Sequence, residues 1–326
     1  GIQLASIGRY RSHRCRAEIG HFQRSVSLKA LFAIQNHLSY AMMARRRILI
    51  TGATGFVGRQ ICKALAKKEV DLRCIVRKGK EDALYDFSNA EIVSTTDLFA
   101  EESDWWVNQC SGIDAIIHAA WYAEPGKYLQ SELNIDCLQG SLNLARGAIQ
   151  AGARRFIGVG TCFEYDLSAG MLSVDTPLKP STVYADAKAA LFMTLSHWLP
   201  KQSVEFAWCR LFYLYGEGED SRRLVPYLRS KLEKAEPAEL TSGKQIRDFL
   251  DVADAGRMIT DIVLSDQTGP MNICSGAAIT VRQLVEEIAD EYRRRDLLVF
   301  GARPDNLLDP PCVVGIPNVH KPEASV

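Results

Sequence analysis

From residue 46 onward short apolar runs alternate with amphipathic stretches. The run Arg-Arg-Ile-Leu-Ile-Thr at 46–51 is followed by a helical period over about 57–68. Further runs at 71–77, 91–95, 114–119, 154–160 and 204–210 read as strands, and the segments at about 103–110, 130–151 and 183–198 read as helices. The runs at 114–119 and 154–160 are almost continuously apolar, as strands covered on both faces must be. Regular strand–helix alternation of this kind predicts an α/β chain built on a doubly wound parallel sheet.

After about 211 the pattern loosens. A Gly/acid loop, Tyr215-Gly216-Glu217-Gly218-Glu219-Asp220, leads to a charged helix at 222–235. The segment Arg247–Val252, a helix at 253–265, a strand at 270–274, a helix at 281–294 and a strand near 297–300 complete the pattern. This predicts a nucleotide-binding domain over 45–210, to which 246–274 returns. The remainder, 211–245 and 275–326, is expected to form a small α/β substrate cap over the C-terminal edge of the sheet. The tail from Pro304 is rich in Pro, Asn and Asp and reads as possessing no closing helix, as in a truncated chain.

Composition adds limits. With 47% apolar and 24% charged residues the chain has the balance of a soluble enzyme, expected in the cytoplasm. The net charge of zero hides an asymmetry: residues 1–47 carry nine Lys and Arg against Glu18, so the rest is acidic by about the same amount. An acidic body does not suit nucleic acid. The basic head, 1–44, has the Arg-rich, acid-poor look of a transit peptide, but Met42-Met43 just before the first strand reads as a natural start. The head is therefore expected to be disordered or non-native. Its apolar run near 31–43 is broken by Gln35, Asn36, His37 and Ser39, which does not suit a membrane span. Nine cysteines without a CxxC pair suit free thiols in a reducing compartment and no metal site.

The chemistry sits in two motifs. Thr51-Gly52-Ala53-Thr54-Gly55-Phe56-Val57-Gly58 follows a strand and opens a helix. Gly52 suits a tight turn, Gly55 a close approach of backbone N–H groups to a pyrophosphate, and Gly58 close helix–strand packing. The second strand ends at Arg77 with Lys78 beside it, where an NAD site usually places a carboxylate. A guanidinium there suits the 2′-phosphate of NADP, and Arg59 could add charge; NAD stays possible. Far downstream stand Tyr184 and Lys188, one helical turn apart, and Thr161 at the end of the fifth strand. An ammonium near a phenol favours phenolate and brings the pair closer to acid–base work at neutral pH.

Taken together these motifs resemble the extended short-chain dehydrogenase/reductases, the NAD(P)-dependent nucleotide-sugar epimerases, dehydratases and reductases with a Rossmann-type sheet. The resemblance spans about 46–300 and includes Asp97-Leu98, His118-Ala119-Ala120, Asn134, Arg210, Arg247-Asp248-Phe249 and Asn272–Gly276. It implies that Asp97 and Leu98 contact adenine, that Ala119, Ala120 and Asn134 line the cofactor with the glycine loop, and that Lys188 bonds the nicotinamide ribose. It implies a phosphate contact for Arg247 and a homodimer. Dehydratases of this group follow the catalytic Thr with an Asp-Glu pair; here Cys162-Phe163 follow, which argues against dehydration. The stretch 160–166 is similar to that of reductases of 4-keto-6-deoxy nucleotide sugars.

The expected function is therefore hydride transfer from a nicotinamide cofactor to C4 of such a sugar, in deoxysugar biosynthesis. Tyr184, Lys188 and Thr161 are the catalytic set; Trp121, Tyr122, Cys162 and Arg247 are expected at the substrate. A 4-epimerase retaining NAD is the alternative, and a non-catalytic NADP sensor a minor one. His118 reads as a satisfied core histidine, Trp105-Trp106 as a helix face against the sheet, Glu164 and Asp166 as loop carboxylates, and Arg222-Arg223 as a solvated helix start.

Overall fold

The computed structural model describes residues 45–87, 90–306 and 309–318. The basic head at 1–44 and the last residues of the tail lie outside them. In chain order the elements are β1 (Arg46–Thr51), α1 (Phe56–Leu65), β2 (Val70–Arg77), β3 (Ala90–Thr95), α2 (Ser103–Cys110), β4 (Ala115–His118), α3 (Leu133–Gln150) and β5 (Arg155–Thr161). There follow the two-residue β6 (Met171–Leu172), α4 (Val183–Lys201), β7 (Glu205–Leu211), β8 (Tyr213–Tyr215), α5 (Leu224–Glu233), β9 (Ala238–Leu240), β10 (Ile246–Arg247) and β11 (Phe249–Asp251). The chain continues through α6 (Val252–Leu264), β12 (Gly269–Ile273), β13 (Ile279–Thr280), α7 (Val281–Tyr292), β14 (Leu298–Phe300) and β15 (Cys312–Gly315).

Seven parallel strands form the main sheet in the order β12-β7-β5-β4-β1-β2-β3. The order reverses between β1 and β4, which pair in parallel through Ile50↔Ile117 and Thr51↔His118. A crevice opens at such a switch point, outside the carboxyl ends of the strands. Side chains alternate across β1. Ile48 and Ile50 join Ile61 and Leu65 of α1 and Ile259, Ile262 and Val263 of α6 on one face. Leu49 joins Trp106 of α2, Leu144 and Ala148 of α3 and Leu191, Leu195 and Leu199 of α4 on the other. Each fully buried Leu or Ile contributes roughly 1.5–3 kcal/mol, so these two layers hold the sheet between them. Trp106 is fully buried here, as a helix face on the sheet requires.

From Arg46 onward the described chain is one compact unit. The cap has its own apolar core, in which Val225, Leu228 and Leu232 of α5 meet Leu284, Val285 and Ile288 of α7. Two findings differ from the pattern reading. The tail contributes β15, which pairs in parallel with both β10 and β6. The cap sheet, β13-β10-β15-β6, thus borrows a strand from the segment between β5 and α4. Two-residue strands carry too little periodicity to be seen in sequence. Helix α3 starts at Leu133, not 130, because Tyr128–Gln130 forms a separate 3-10 turn.

Candidate active site

The glycine loop joins β1 to α1 at the switch point. Gly52 has φ +74°, and a Cβ there would stand 2.7 Å from the Ala120 nitrogen. A Cβ on Gly58 would lie 2.0 Å from the Gly52 oxygen, so both positions demand glycine for space. Helix α1 begins after Gly55, which has no capping side chain, and its first turn holds no acid. Its first N–H groups are left for an anion, which fits the pyrophosphate of a dinucleotide. Thr54, Phe56 and Val57 are half-buried at this turn and Gly55 is exposed. Ala119 and Ala120 follow β4 directly beside it, and Thr51 Oγ1 accepts from the Ala120 nitrogen at 3.3 Å. His118 lies 2.8 Å from Thr51 Oγ1 through Nδ1 and 2.7 Å from Ser141 Oγ through Nε2. Burial holds it down to about 3, so it is a neutral core histidine.

The far side of the crevice is set by β2 and β3. Arg77 and Lys78 are exposed at the end of β2. Asp97 accepts from the Phe99 nitrogen at 3.0 Å, while Leu98 packs on the core. Arg59 is drawn away from this edge: it pairs with Asp86 at 2.6 Å and covers the Phe87 ring at 5.8 Å.

Thr161, Tyr184 and Lys188 come together at the ends of β5 and α4. Thr182 caps α4 by accepting from the Ala185 nitrogen at 3.2 Å, which places Tyr184 in the first turn and Lys188 one turn on. Thr161 Oγ1 accepts from the Phe163 nitrogen at 3.3 Å, so its own proton is left to donate. Burial pushes the Tyr184 phenol well above its ordinary range, the neighbouring Tyr128 adds to this, and a hydrogen bond with Thr161 pulls the other way. Lys188 Nζ donates to the Val159 carbonyl at 2.6 Å and sits 3.8 Å above the Trp121 ring. Burial draws the lysine down to about 7, against the opposing pull of Glu164 and Cys137. Burial thus sets the direction of the phenol's shift, and the Thr161 hydrogen bond opposes it.

Glu164 is no loop carboxylate: it is fully buried beneath the site. Its Oε1 accepts from the Thr161 nitrogen at 2.8 Å, Trp208 Nε1 donates to it at 3.0 Å, and Arg210 Nε donates to Oε2 at 2.7 Å. Arg210 also donates to the Tyr165 hydroxyl at 3.0 Å, which donates to Asn272 at 2.7 Å. The indole reaches Glu164 because β5 carries Gly160; a Cβ there would lie 2.2 Å from Trp208 Nε1. The alternating glycines of Arg155–Thr161 and the Trp two strands away in sequence are the signal, legible only once β5 and β7 are known to pair.

Residues 48–274 match the model of the NAD dependent epimerase/dehydratase family. The chain belongs to that family. Among its relatives is the dTDP-6-deoxy-L-talose 4-dehydrogenase (NAD(+)) of Aggregatibacter actinomycetemcomitans, 26% identical over 270 residues, covering 82% of this chain and 98% of that protein. The dTDP-6-deoxy-L-talose 4-dehydrogenase (NAD(P)(+)) of Kitasatospora kifunensis is 24% identical over 271 residues, covering 76% and 80%. In fold the chain is similar to the UDP-N-acetylglucosamine 4-epimerase of Methanobrevibacter ruminantium, with a TM-score of 0.73 at 22% identity, over 85% of this chain and 91% of that one.

Within this epimerase/dehydratase frame four residues expected at cofactor or substrate make the following contacts inside the chain. Asn134 is fully buried and its side chain is used internally: it donates to the carbonyls of Tyr128 at 2.6 Å and Ser131 at 2.9 Å and accepts from Trp121 Nε1 at 2.8 Å. It anchors the loop after β4. The bond to Asn134 holds Trp121 with its ring face toward Lys188. Cys162, expected at the substrate, is 2% exposed in a cluster with Tyr165, Leu172, Phe212 and Cys274. Arg247 is buried, pairs with Asp309 at 2.7 Å and lies 5.2 Å from the Tyr213 ring centroid. A diphosphate reaching it must displace Asp309. Tyr122 donates to Glu124 at 3.2 Å. Asp248 accepts from the nitrogens of Ser275, Gly276 and Gly315 at 2.7, 2.8 and 3.2 Å, drawing the two downstream motifs and the tail together. Tyr128, which sequence reasoning passed over, meets the Tyr184 ring edge-on at 4.8 Å. Burial pushes its phenol above the ordinary range, against the opposing pull of Arg223 just before α5, so that arginine is more than a solvated helix start.

Proposed function

We propose that this family member is an NAD(P)H-dependent reductase of a 4-keto-6-deoxy nucleotide sugar, acting in deoxysugar biosynthesis. The observation that carries the reading is the state of Glu164. The carboxylate nearest in sequence to Thr161 is locked under the site by Arg210, Trp208 and the Thr161 nitrogen, and Cys162-Phe163 have no acid to offer. A site with a phenol and a hydroxyl but no carboxylate free to act as acid or base suits carbonyl reduction better than elimination of water. The talose 4-dehydrogenases, named for redox chemistry at C4, support it. When bound, the dinucleotide supplies the hydride. Thr161 donates a hydrogen bond to the C4 oxygen, Tyr184 gives its proton to the developing alkoxide, and the Lys188 ammonium holds the nicotinamide ribose and stabilises the phenolate left behind. Gly52, Thr54–Gly58, Ala119 and Ala120 would hold the dinucleotide.

The exposed Arg77 and Lys78 favour NADPH. Exposed Leu133 and Ile135 on α3 and Met193 on α4 support a homodimer paired through those helices. The test is absorbance at 340 nm with NADPH or NADH and a panel of 4-keto-6-deoxy nucleotide sugars. NADPH oxidation establishes the reductase. Finding no oxidation, with dinucleotide retained through purification, would replace it by the 4-epimerase. Arg77→Asp is expected to reduce the preference for NADPH over NADH by about 10–100-fold, the worth of one charge-assisted contact of about 1.5–3 kcal/mol. An unchanged ratio of kcat/KM would remove Arg77 from cofactor selection.

A further inference from the structure

Lys188 is 2% exposed, and a buried ammonium is stable only with compensation. Its surroundings supply little formal charge. From β5 comes the Val159 carbonyl, 2.6 Å from Nζ. From the 162–164 turn comes Glu164, whose charge favours the ammonium but whose oxygens are already taken by Arg210, Trp208 and the Thr161 nitrogen. From α3 comes the Cys137 thiol, pushed up to about 11 by burial and so uncharged, and from β4 the neutral His118. From β7 comes the Trp208 ring at 5.9 Å, and on its own helix stands the protonated Tyr184. The face of Trp121 lies 3.8 Å from Nζ, closer than the Trp208 ring. That indole is held on several sides. Nε1 donates to Asn134, which is itself fixed by two carbonyls, and the ring meets Phe99 and Tyr184 edge-on at 6.3 and 6.5 Å.

We propose that Trp121 is a positioning residue of the catalytic centre: its ring face, oriented by Asn134, is the counter-group that keeps the Lys188 ammonium charged and in place beside Tyr184. The negative face of an indole attracts a cation most strongly when the pair is desolvated, as here. The proposal rests on the reductase reading only for what the ammonium does in turnover. Its effect on Lys188 can be read without substrate or cofactor.

The experiment follows Lys188 by NMR in the full chain with 13C-labelled lysine, the signal assigned by its loss in Lys188→Arg. Trp121→Leu is expected to move the titration down by about one pH unit, whereas Trp121→Phe, which keeps a ring face, moves it by less than half of that. Should Trp121→Leu fold poorly, a ring-fluorinated tryptophan placed at 121 keeps the shape and depletes the charge of the face. It should shift the titration in the same direction with the thermal midpoint unchanged. A Lys188 titration unmoved by fluorination overturns the proposal. If the titration shifts as expected but no ketosugar oxidises NADPH, the placement of Trp121 stands and the reductase reading fails.

Discussion

Replacing Tyr184 by Phe is expected to lower kcat for NADPH oxidation by about 10²–10⁴-fold, the usual worth of a positioned general acid, while dinucleotide affinity stays within a factor of a few. In the proposed reduction the phenol is the proton source: burial and Tyr128 keep it protonated far above neutral pH, and the Thr161 hydroxyl faces it. The ring itself packs edge-on against Tyr128 and Trp121, and Phe preserves those contacts. A loss of both kcat and cofactor affinity would point instead to a collapsed site. Lys188 adds a pH signature. Its titration is drawn down to about 7, so the ammonium is fully present below that value and is lost as pH rises through it. Turnover of the wild-type protein should therefore fall on the alkaline side of about 7. A rate flat from pH 6 to 9 would mean that the lysine charge plays no part.

Glu164→Gln is the second large effect. It leaves the buried Arg210 guanidinium without its anion and should cost about 3–5 kcal/mol in unfolding free energy, measured from denaturant midpoints. Gln can still accept from Trp208 and the Thr161 nitrogen, so the loss reports mainly on charge. Pairing it with Arg210→Met should recover part of the cost, because the two positions share one interaction and their effects do not add. A cost below about 1 kcal/mol for Glu164→Gln, with no recovery in the double variant, would show that the pair is not a supporting element. Thr161 also hangs on Glu164 through its backbone nitrogen, so kcat should drop along with stability.

Much of the architecture was legible in one dimension, for a definite reason. Strands such as Ala115–His118 and Arg155–Thr161 are covered on both faces by helices, so they read as continuous apolar runs, and the glycine loop combines three positions where backbone sterics permit little else. Tyr184 and Lys188 share a face by helical period alone. Distances between elements decided the rest. Asn134 and Trp121 read as a cofactor contact and a sugar contact, yet a 2.8 Å bond ties them to each other and turns the indole under Lys188. Glu164 read as a loop carboxylate because its partners, Trp208 and Arg210, lie on β7 and reach it only once β7 pairs with β5. Local periodicity records which face of an element is apolar; it holds no information on which polar groups meet across the sheet. Those meetings set the surroundings of the lysine, the orientation of the threonine and the burial of Glu164, and they exist only in the packed chain.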